Sequence, residues 1–420
     1  MGLILLLIYS LLAPAIALLY ALFFLLSPRR ALMKSLGGEL RERLGLGAAA
    51  PGEPPVWVHA ASMGEVKAVS KFAPALAAAL GAPLLITAST ASGRAEAARL
   101  TPLARLAPLD LYPLAVRFIA RNRPRMLVVV ETELWPATLY AAARAGVPVF
   151  LVNARLSAGT AALYRALGPL SRLAFSGVKQ VLAQTETDAA AFRRLPGLDG
   201  KVIVTGNLKH DQLGVSAAGQ DKIKDFLEAS DWGGARIFTA GSTHPAEEPV
   251  LISAWLEAKK NNPGLKLVLV PRHPERLSET EAVLKSRGVA FVRWSATVVP
   301  AATDCLLVDA MGLLQAFYAV SAVCFVGGTL DATGGHNLLE PALFAKPVIF
   351  GPNYRSARMA GEALLKENGG FLAGTAAEIS ATISKLLDDR AYLDASGENA
   401  AKALSSLKGA TARSLDELTK

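Results

Sequence analysis

A chain of 420 residues exceeds one ordinary domain, and with 52% apolar and only 19% charged residues it can fill two sizeable cores. The formal charge of +9 suits a surface apposed to anionic lipid or an anionic substrate; with 5 histidines, 7% aromatics and no basic run longer than two, it argues against a nucleic-acid partner. Cys305 and Cys324 lie in apolar runs without metal-ligand or disulfide spacing, as small core residues of a reducing compartment do.

The first element is an uncharged run over residues 3–26, whose 24 residues would span about 36 Å as a helix, enough to cross a hydrocarbon core with some tilt. Pro14 leaves open a bent helix that dips into one leaflet. Arg29, Arg30 and Lys34 follow the run and no Lys or Arg precedes it, which places the next domain in the cytoplasm. A secretory signal is the competing reading. The run is too long for an h-region, lacks a basic n-region, and ends at Ser27-Pro28-Arg29-Arg30 in place of a small-x-small cleavage site. A retained anchor over 1–27 is the expectation.

Residues 35–55 are polar and glycine-rich and read as a tether. Strands are then expected over 56–59, 83–88, 126–130 and 147–152, with helices over 65–80, 92–100 and 137–145 between them. Segment 208–234 is polar and lacks a strand run. A second alternation follows, with strands over 236–240, 265–270, 289–292, 305–308, 322–326 and 347–350, helices over 247–261 and 276–287, and a helical tail over 376–418. Short apolar runs bounded by Gly and Pro argue for parallel sheets covered on both faces. The fold class is therefore α/β, with two Rossmann-like parallel-sheet lobes over 35–207 and 235–395, a linker over 208–234 and a C-terminal helix over 396–420. Ligands of such sheets sit beyond the carboxyl ends of strands, so a cleft between facing lobes is the expected active site.

Polar residues collect where that expectation wants them. His59, Glu131, Glu133, Asn153, Arg155, Ser242, His244, Arg272 and His273 closely follow apolar strand runs. Glu65 is the first candidate for a general base, although Ser62 three residues earlier makes a capping box an equally good account. Glu131 and Glu133 share a face if their strand continues, and one pKa would rise unless a cation such as Lys209 intervenes. Arg272 can hold a phosphate in bidentate fashion or close a salt bridge within its turn.

Gly327-Gly328-Thr329 to Gly334-Gly335-His336-Asn337-Leu338-Leu339-Glu340 reads as a glycine turn and a helix opening at His336-Asn337. Amides of such a turn, Gly328 and Thr329 among them, can approach a phosphate, and Glu340 can accept from both hydroxyls of a ribose. There is no G-x-x-x-x-G-K-[ST], no G-x-G-x-x-G after a strand and no Asp-x-Asp, which removes P-loop enzymes, weakens a dehydrogenase, and gives no sign of a metal-held pyrophosphate. Two readings from other classes remain: a serine hydrolase built on Ala60-Ala61-Ser62-Met63-Gly64, a near miss to G-x-S-x-G, and a tethered nucleotide-binding protein without catalysis.

At these residues the chain resembles the Kdo (3-deoxy-D-manno-octulosonic acid) transferases of lipopolysaccharide synthesis, which have the two-lobed GT-B fold. The resemblance spans the anchor, residues 59–65, 131–136, 153–157, 206–209, 242–248, 271–276 and 327–341. It implies a CMP-Kdo donor, a phosphorylated lipid A precursor as acceptor, and inverting transfer without cofactor or metal at the cytoplasmic face of the inner membrane, beside its anionic lipid. It matches Glu65 to the catalytic base, and Lys209 and a member of the Glu131-Thr132-Glu133 motif to groups that stabilise the transition state. Pro271-Arg272, Met311-Gly312-Leu313 and Asn337 to Glu340 match the CMP-binding turns. Ser62, Asn153 and Arg155 would stand on the acceptor side. Leu313 replaces a usual acidic residue, Thr333 a frequent basic one, and His210 a frequent aromatic.

Overall fold

A computed structural model describes residues 1–10, 36–47, 49–132, 135–230, 232–296 and 303–420. The chain forms two compact units, Met1–Gln212 with Lys408–Lys420 and Leu213–Leu407.

The first unit holds strands β1 (Val56–His59), β2 (Leu84–Ala88), β3 (Leu103–Leu106), β4 (Met126–Val130), β5 (Val149–Ala154), β6 (Val178–Ala183) and β7 (Val202–Val204). The second holds β8 (Arg236–Thr243), β9 (Leu265–Pro271), β10 (Phe291–Arg293), β11 (Cys305–Leu307), β12 (Val323–Val326), β13 (Val348–Phe350) and β14 (Gly370–Leu372). Each unit is one seven-stranded sheet, in the orders β3-β2-β1-β4-β5-β6-β7 and β10-β11-β9-β8-β12-β13-β14, and the pairings are parallel. The two-residue period of the strands sends their side chains into separate cores. Trp57, Leu85 and Leu127 face one layer of helices while Val58, Ile86 and Val128 face the other.

In such sheets a ligand sits where the strand order reverses, outside the carboxyl ends of the strands. Those points are β1/β4 in the first unit and β8/β12 in the second.

Several expectations need correction. The tether over 35–55 contains the helix Leu36–Arg43, held to the first unit because Glu42 accepts from the Leu106 amide at 2.7 Å and pairs with Arg94 at 2.9 Å. The helix expected over 65–80 is two helices, Met63–Ala68 and Phe72–Ala79. The linker over 208–234 is divided: Leu208–Gln212 is a helix of the first unit and Gln220–Ala229 a helix of the second. The tail over 396–420 is likewise split. Arg390–Leu407 belongs to the second unit, while Ala410–Thr419 packs Ala410 and Leu418 against Phe72 and Leu76 of the first.

Among the described residues no helix is long and apolar enough to cross a membrane. Most of the run expected as an anchor, residues 11–26, lies outside the described residues. Its first turns, residues 2–10, form a helix that buries Leu6 against Ala137 and Leu170, and the Tyr9 hydroxyl donates to Asp110 at 3.0 Å. Leu3, Ile4, Leu7 and Ile8 stay exposed on its other side.

Candidate functional site

In the first unit, β1 delivers His59 and then a turn into the helix Met63–Ala68. Ser62 caps that helix. Its hydroxyl oxygen accepts from the Glu65 amide at 3.3 Å and its O–H donates to one Glu65 carboxylate oxygen at 3.2 Å, while the other accepts from the Ala61 amide at 2.7 Å. The capping account of the Ser62–Glu65 spacing is thus realised in its Ser62 half, while the Glu65 carboxylate takes the Ala61 amide in place of the Ser62 amide that would close a capping box. It leaves Glu65 half-buried at the carboxyl end of the switch-point strand. Ser62 sits in ordinary extended backbone, unlike a strained nucleophile elbow, and its hydroxyl engages a carboxylate.

His59 is buried. Its Nδ1 meets the Thr87 hydroxyl at 2.9 Å, the same oxygen accepts from the Trp57 indole N–H at 2.8 Å, and the ring lies 4.8 Å from that of Trp135. Nε2 has no partner among the described residues. Burial pulls its pKa from 6.5 to about 4, so the ring is neutral at pH 7. The unfolded chain takes up this proton first. Stability is therefore complete above the ordinary value and declines as pH falls toward the lowered one. Between those values the loss should reach about 3 kcal/mol. Urea midpoints at the two ends of that window test this, and His59→Gln should flatten the difference; an unchanged pH response would refute it.

Glu131 follows β4 in the left-handed region, at φ 59°, and the strand stops at Val130. Glu133 lies outside the described residues. Lys209 Nζ donates to Glu131 Oε1 at 2.8 Å, joining motifs 78 residues apart. Asn153, read from the sequence as standing on the acceptor side, is left-handed at φ 55° and fully buried. It works from behind: its Nδ2 donates to Glu131 at 3.4 Å, its Oδ1 accepts from the Leu208 amide at 2.9 Å, and its carbonyl accepts from Gln184 at 2.9 Å. Gln184 in turn accepts from Asn207, whose Oδ1 accepts from the Lys209 amide. Arg155 is exposed, and its carbonyl accepts from the Thr132 hydroxyl at 3.0 Å.

In the second unit, the glycine turn after β12 has a different guest from the one expected. The fully buried Glu247 carboxylate accepts from the amides of Gly328 at 2.8 Å, Thr329 at 2.9 Å, Leu330 at 2.9 Å and its own neighbour His244 at 3.0 Å. The amides read as a phosphate cradle are filled by the protein's own anion. Gly327 is needed here, since a Cβ would lie 2.3 Å from the Ser242 carbonyl oxygen. No helix opens at His336-Asn337 either. Gly334 and Gly335 are left-handed at φ 97° and 91°, and the only regular turn nearby is the 3₁₀ segment Pro341–Phe344, which begins at a residue without an N–H.

Burial sorts the remaining donor-side residues. Leu338, Leu339 and Thr329 are fully buried and Pro271 is buried, so their side chains are core or scaffold and only their backbone atoms are left to face a ligand. Arg272, Met311, Gly312, His336, Asn337 and Glu340 keep solvent access. Asn337 Nδ2 donates to Glu340 Oε1 at 3.2 Å; burial raises the Glu340 carboxyl, opposed by that bond and by the Arg272 charge. Leu313, in place of an acid, packs against Gly219 and the apolar layer around Phe317. His244 and His336 bring their Nε2 atoms to 2.8 Å. Glu247 and Gln184 were missed as site supports. For Glu247 the available signal was an acidic residue just after a strand end opposite a glycine turn.

Two sheets that gather polar side chains at their switch points define an α/β class that handles nucleotide-linked ligands. The model of the family described as 3-Deoxy-D-manno-octulosonic-acid transferase (kdotransferase) matches residues 38–212. The 3-deoxy-D-manno-octulosonic acid transferase of Bordetella pertussis is 35% identical over 398 residues, covering 90% of this chain and 89% of that protein. That of Haemophilus influenzae is 32% identical over 387 residues, covering 90% of each. A glycosyltransferase from Rickettsia africae shares the fold, with a TM-score of 0.58 over 88% of this chain and 98% of that one at 12% identity. The chain belongs to the 3-deoxy-D-manno-octulosonic acid transferase family and is a glycosyltransferase.

Proposed function

We propose that the protein transfers Kdo from CMP-Kdo to a phosphorylated lipid A precursor, with inversion and without metal, at the cytoplasmic face of the inner membrane. Glu65 takes the proton of the acceptor's sugar hydroxyl, and Lys209, held by Glu131, offers its positive charge to the transition state. The second unit receives the nucleotide, with Glu340 and Asn337 toward the ribose and Arg272 toward the single phosphate. The Lys209–Glu131 pair carries this reading: at 2.8 Å it brings a cation and a carboxylate from distant motifs together beyond the strand that follows the switch point.

The apolar run that begins in the docked helix of residues 2–10 continues uncharged to residue 26 and is followed by Arg29, Arg30 and Lys34, which supports a lipid anchor beside the first unit. Incubation with CMP-Kdo and lipid A precursor, with and without a chelator, should release CMP only when both substrates are present, and equally in both cases. Mass spectrometry of the lipid should show added Kdo. CMP release that ignores the lipid would refute the reading.

A further inference from the structure

Three of the five histidines converge in the second unit, more than phosphate binding by Arg272 requires. The His244 and His336 rings meet end to end and nearly coplanar, with centroids 5.1 Å apart, planes 12° from parallel and Nε2 atoms at 2.8 Å. At that separation one Nε2 carries a proton and the other a lone pair. His244 Nδ1 faces Asp331 Oδ2 at 3.6 Å, which favours the proton on that nitrogen and leaves His244 Nε2 as the acceptor of a proton held by His336 Nε2. His336 Nδ1 then has no proton, and a second proton taken up by the pair would turn it into a donor.

We propose that His244 and His336 act as one proton-sharing pair that takes up a proton when an anionic phosphodiester donor binds and passes it to the departing nucleotide phosphate. The inference rests on the reading of the second unit as the donor side.

The surroundings keep the His336 ring uncharged until an anion arrives. His244 is faced by Asp331 and, edge-on at 5.8 Å, by His273; its own amide is bound to Glu247. His336 feels His244, Arg272, Asp331 and His273. Burial, then the charges of His244 and Arg272, bring His336 down to about 4, so the His336 ring is neutral at pH 7 in the unliganded protein. Burial works against Asp331, but hydrogen bonds from Thr333, with a smaller electrostatic contribution from the two rings when they are protonated, hold its carboxyl below the ordinary value, so it remains an anion behind His244. An arriving phosphodiester adds negative charge beside Arg272, removes the like-charge penalty on the rings, and favours the imidazolium form.

In the transfer step, the bond from the donor's anomeric carbon to the phosphate oxygen breaks and its electron pair goes to that oxygen. The anomeric carbon takes the acceptor oxygen, whose proton goes to the general base. The phosphate oxygen receives the pair's proton, and the pair returns to neutral. His336 and His244 thereby balance the charge that leaves with the nucleotide.

The test uses the full chain and cytidine 5′-methyl phosphate, a diester with no second phosphate ionisation. Calorimetry at about pH 6.5, in two buffers of different ionisation enthalpy, should show uptake of about one proton per bound ligand. His244→Asn and His336→Asn should abolish the uptake and weaken binding about tenfold or more, losing the charge-assisted hydrogen bond. Glu340→Gln should keep the uptake, because the proton belongs to the rings. Binding without proton uptake in the wild-type protein would overturn the inference and leave the donor reading standing. So would uptake that survives both histidine variants and vanishes in Glu340→Gln. Absence of binding would overturn both.

Discussion

Glu65→Ala should lower turnover by roughly 10²- to 10⁴-fold, the range a positioned general base contributes. The loss has two sources, because the same carboxylate accepts from the Ala61 amide and the Ser62 hydroxyl. Removing it leaves the Ser62 cap on the backbone amide of residue 65 intact but takes the acceptor from the Ala61 amide, at a cost of about 1 kcal/mol. Glu65→Gln separates the two. Its amide oxygen can still accept from Ala61, so stability should stay within about 0.5 kcal/mol of wild type. It cannot take a proton at neutral pH, so turnover should fall as far as in the alanine variant. Near-normal turnover in Glu65→Gln would leave Glu65 a capping residue and nothing more.

Glu247→Ala should be the most destabilising single change in the second unit. Four amides around that carboxylate, those of His244, Gly328, Thr329 and Leu330, would lose a charged acceptor at once in a fully buried position. A loss of about 3 kcal/mol or more is expected from so many unsatisfied donors. The vacated concavity would then be an anion site of the kind that successive N–H groups form. Added sulfate or phosphate should therefore raise the unfolding midpoint of the variant well beyond its effect on the wild type. A variant that melts with the wild type, or that gains nothing from added anion, would contradict this account.

The interior strands were legible because burial on both faces writes a continuous apolar run, as in Met126–Val130 and Val56–His59. The edges were not: β3, β7 and β14 are short and partly exposed, so Leu103–Leu106 with its central Arg105, and Gly370–Leu372, carry no such run. Strand β6 is interior but interrupted by Lys179 and Gln180. The positions of Glu131 and Arg272 just beyond strand ends could be read from the sequence because a parallel sheet delivers them there, whereas Lys209 follows the illegible strand β7 and was picked out by the family resemblance. What could not be read is who satisfies a buried polar group. Asn153 looked like a ligand contact and proved to be a brace for Glu131 and Leu208; the glycine turn looked like a phosphate cradle and proved to hold Glu247. Both outcomes depend on partners tens of residues away, which local spacing does not encode.

The helix Ala410–Thr419 belongs to the unit that is otherwise built from residues before 213. During synthesis, the second unit can therefore complete its sheet while the first still waits for its last piece. Asp211, two residues from Lys209, receives the amides of Gly409 and Thr411, so the late-arriving segment clamps the short helix that presents the lysine. A ribosome that stalls after Leu407 would leave a nascent chain with its second unit complete but the helix that presents Lys209 unclamped.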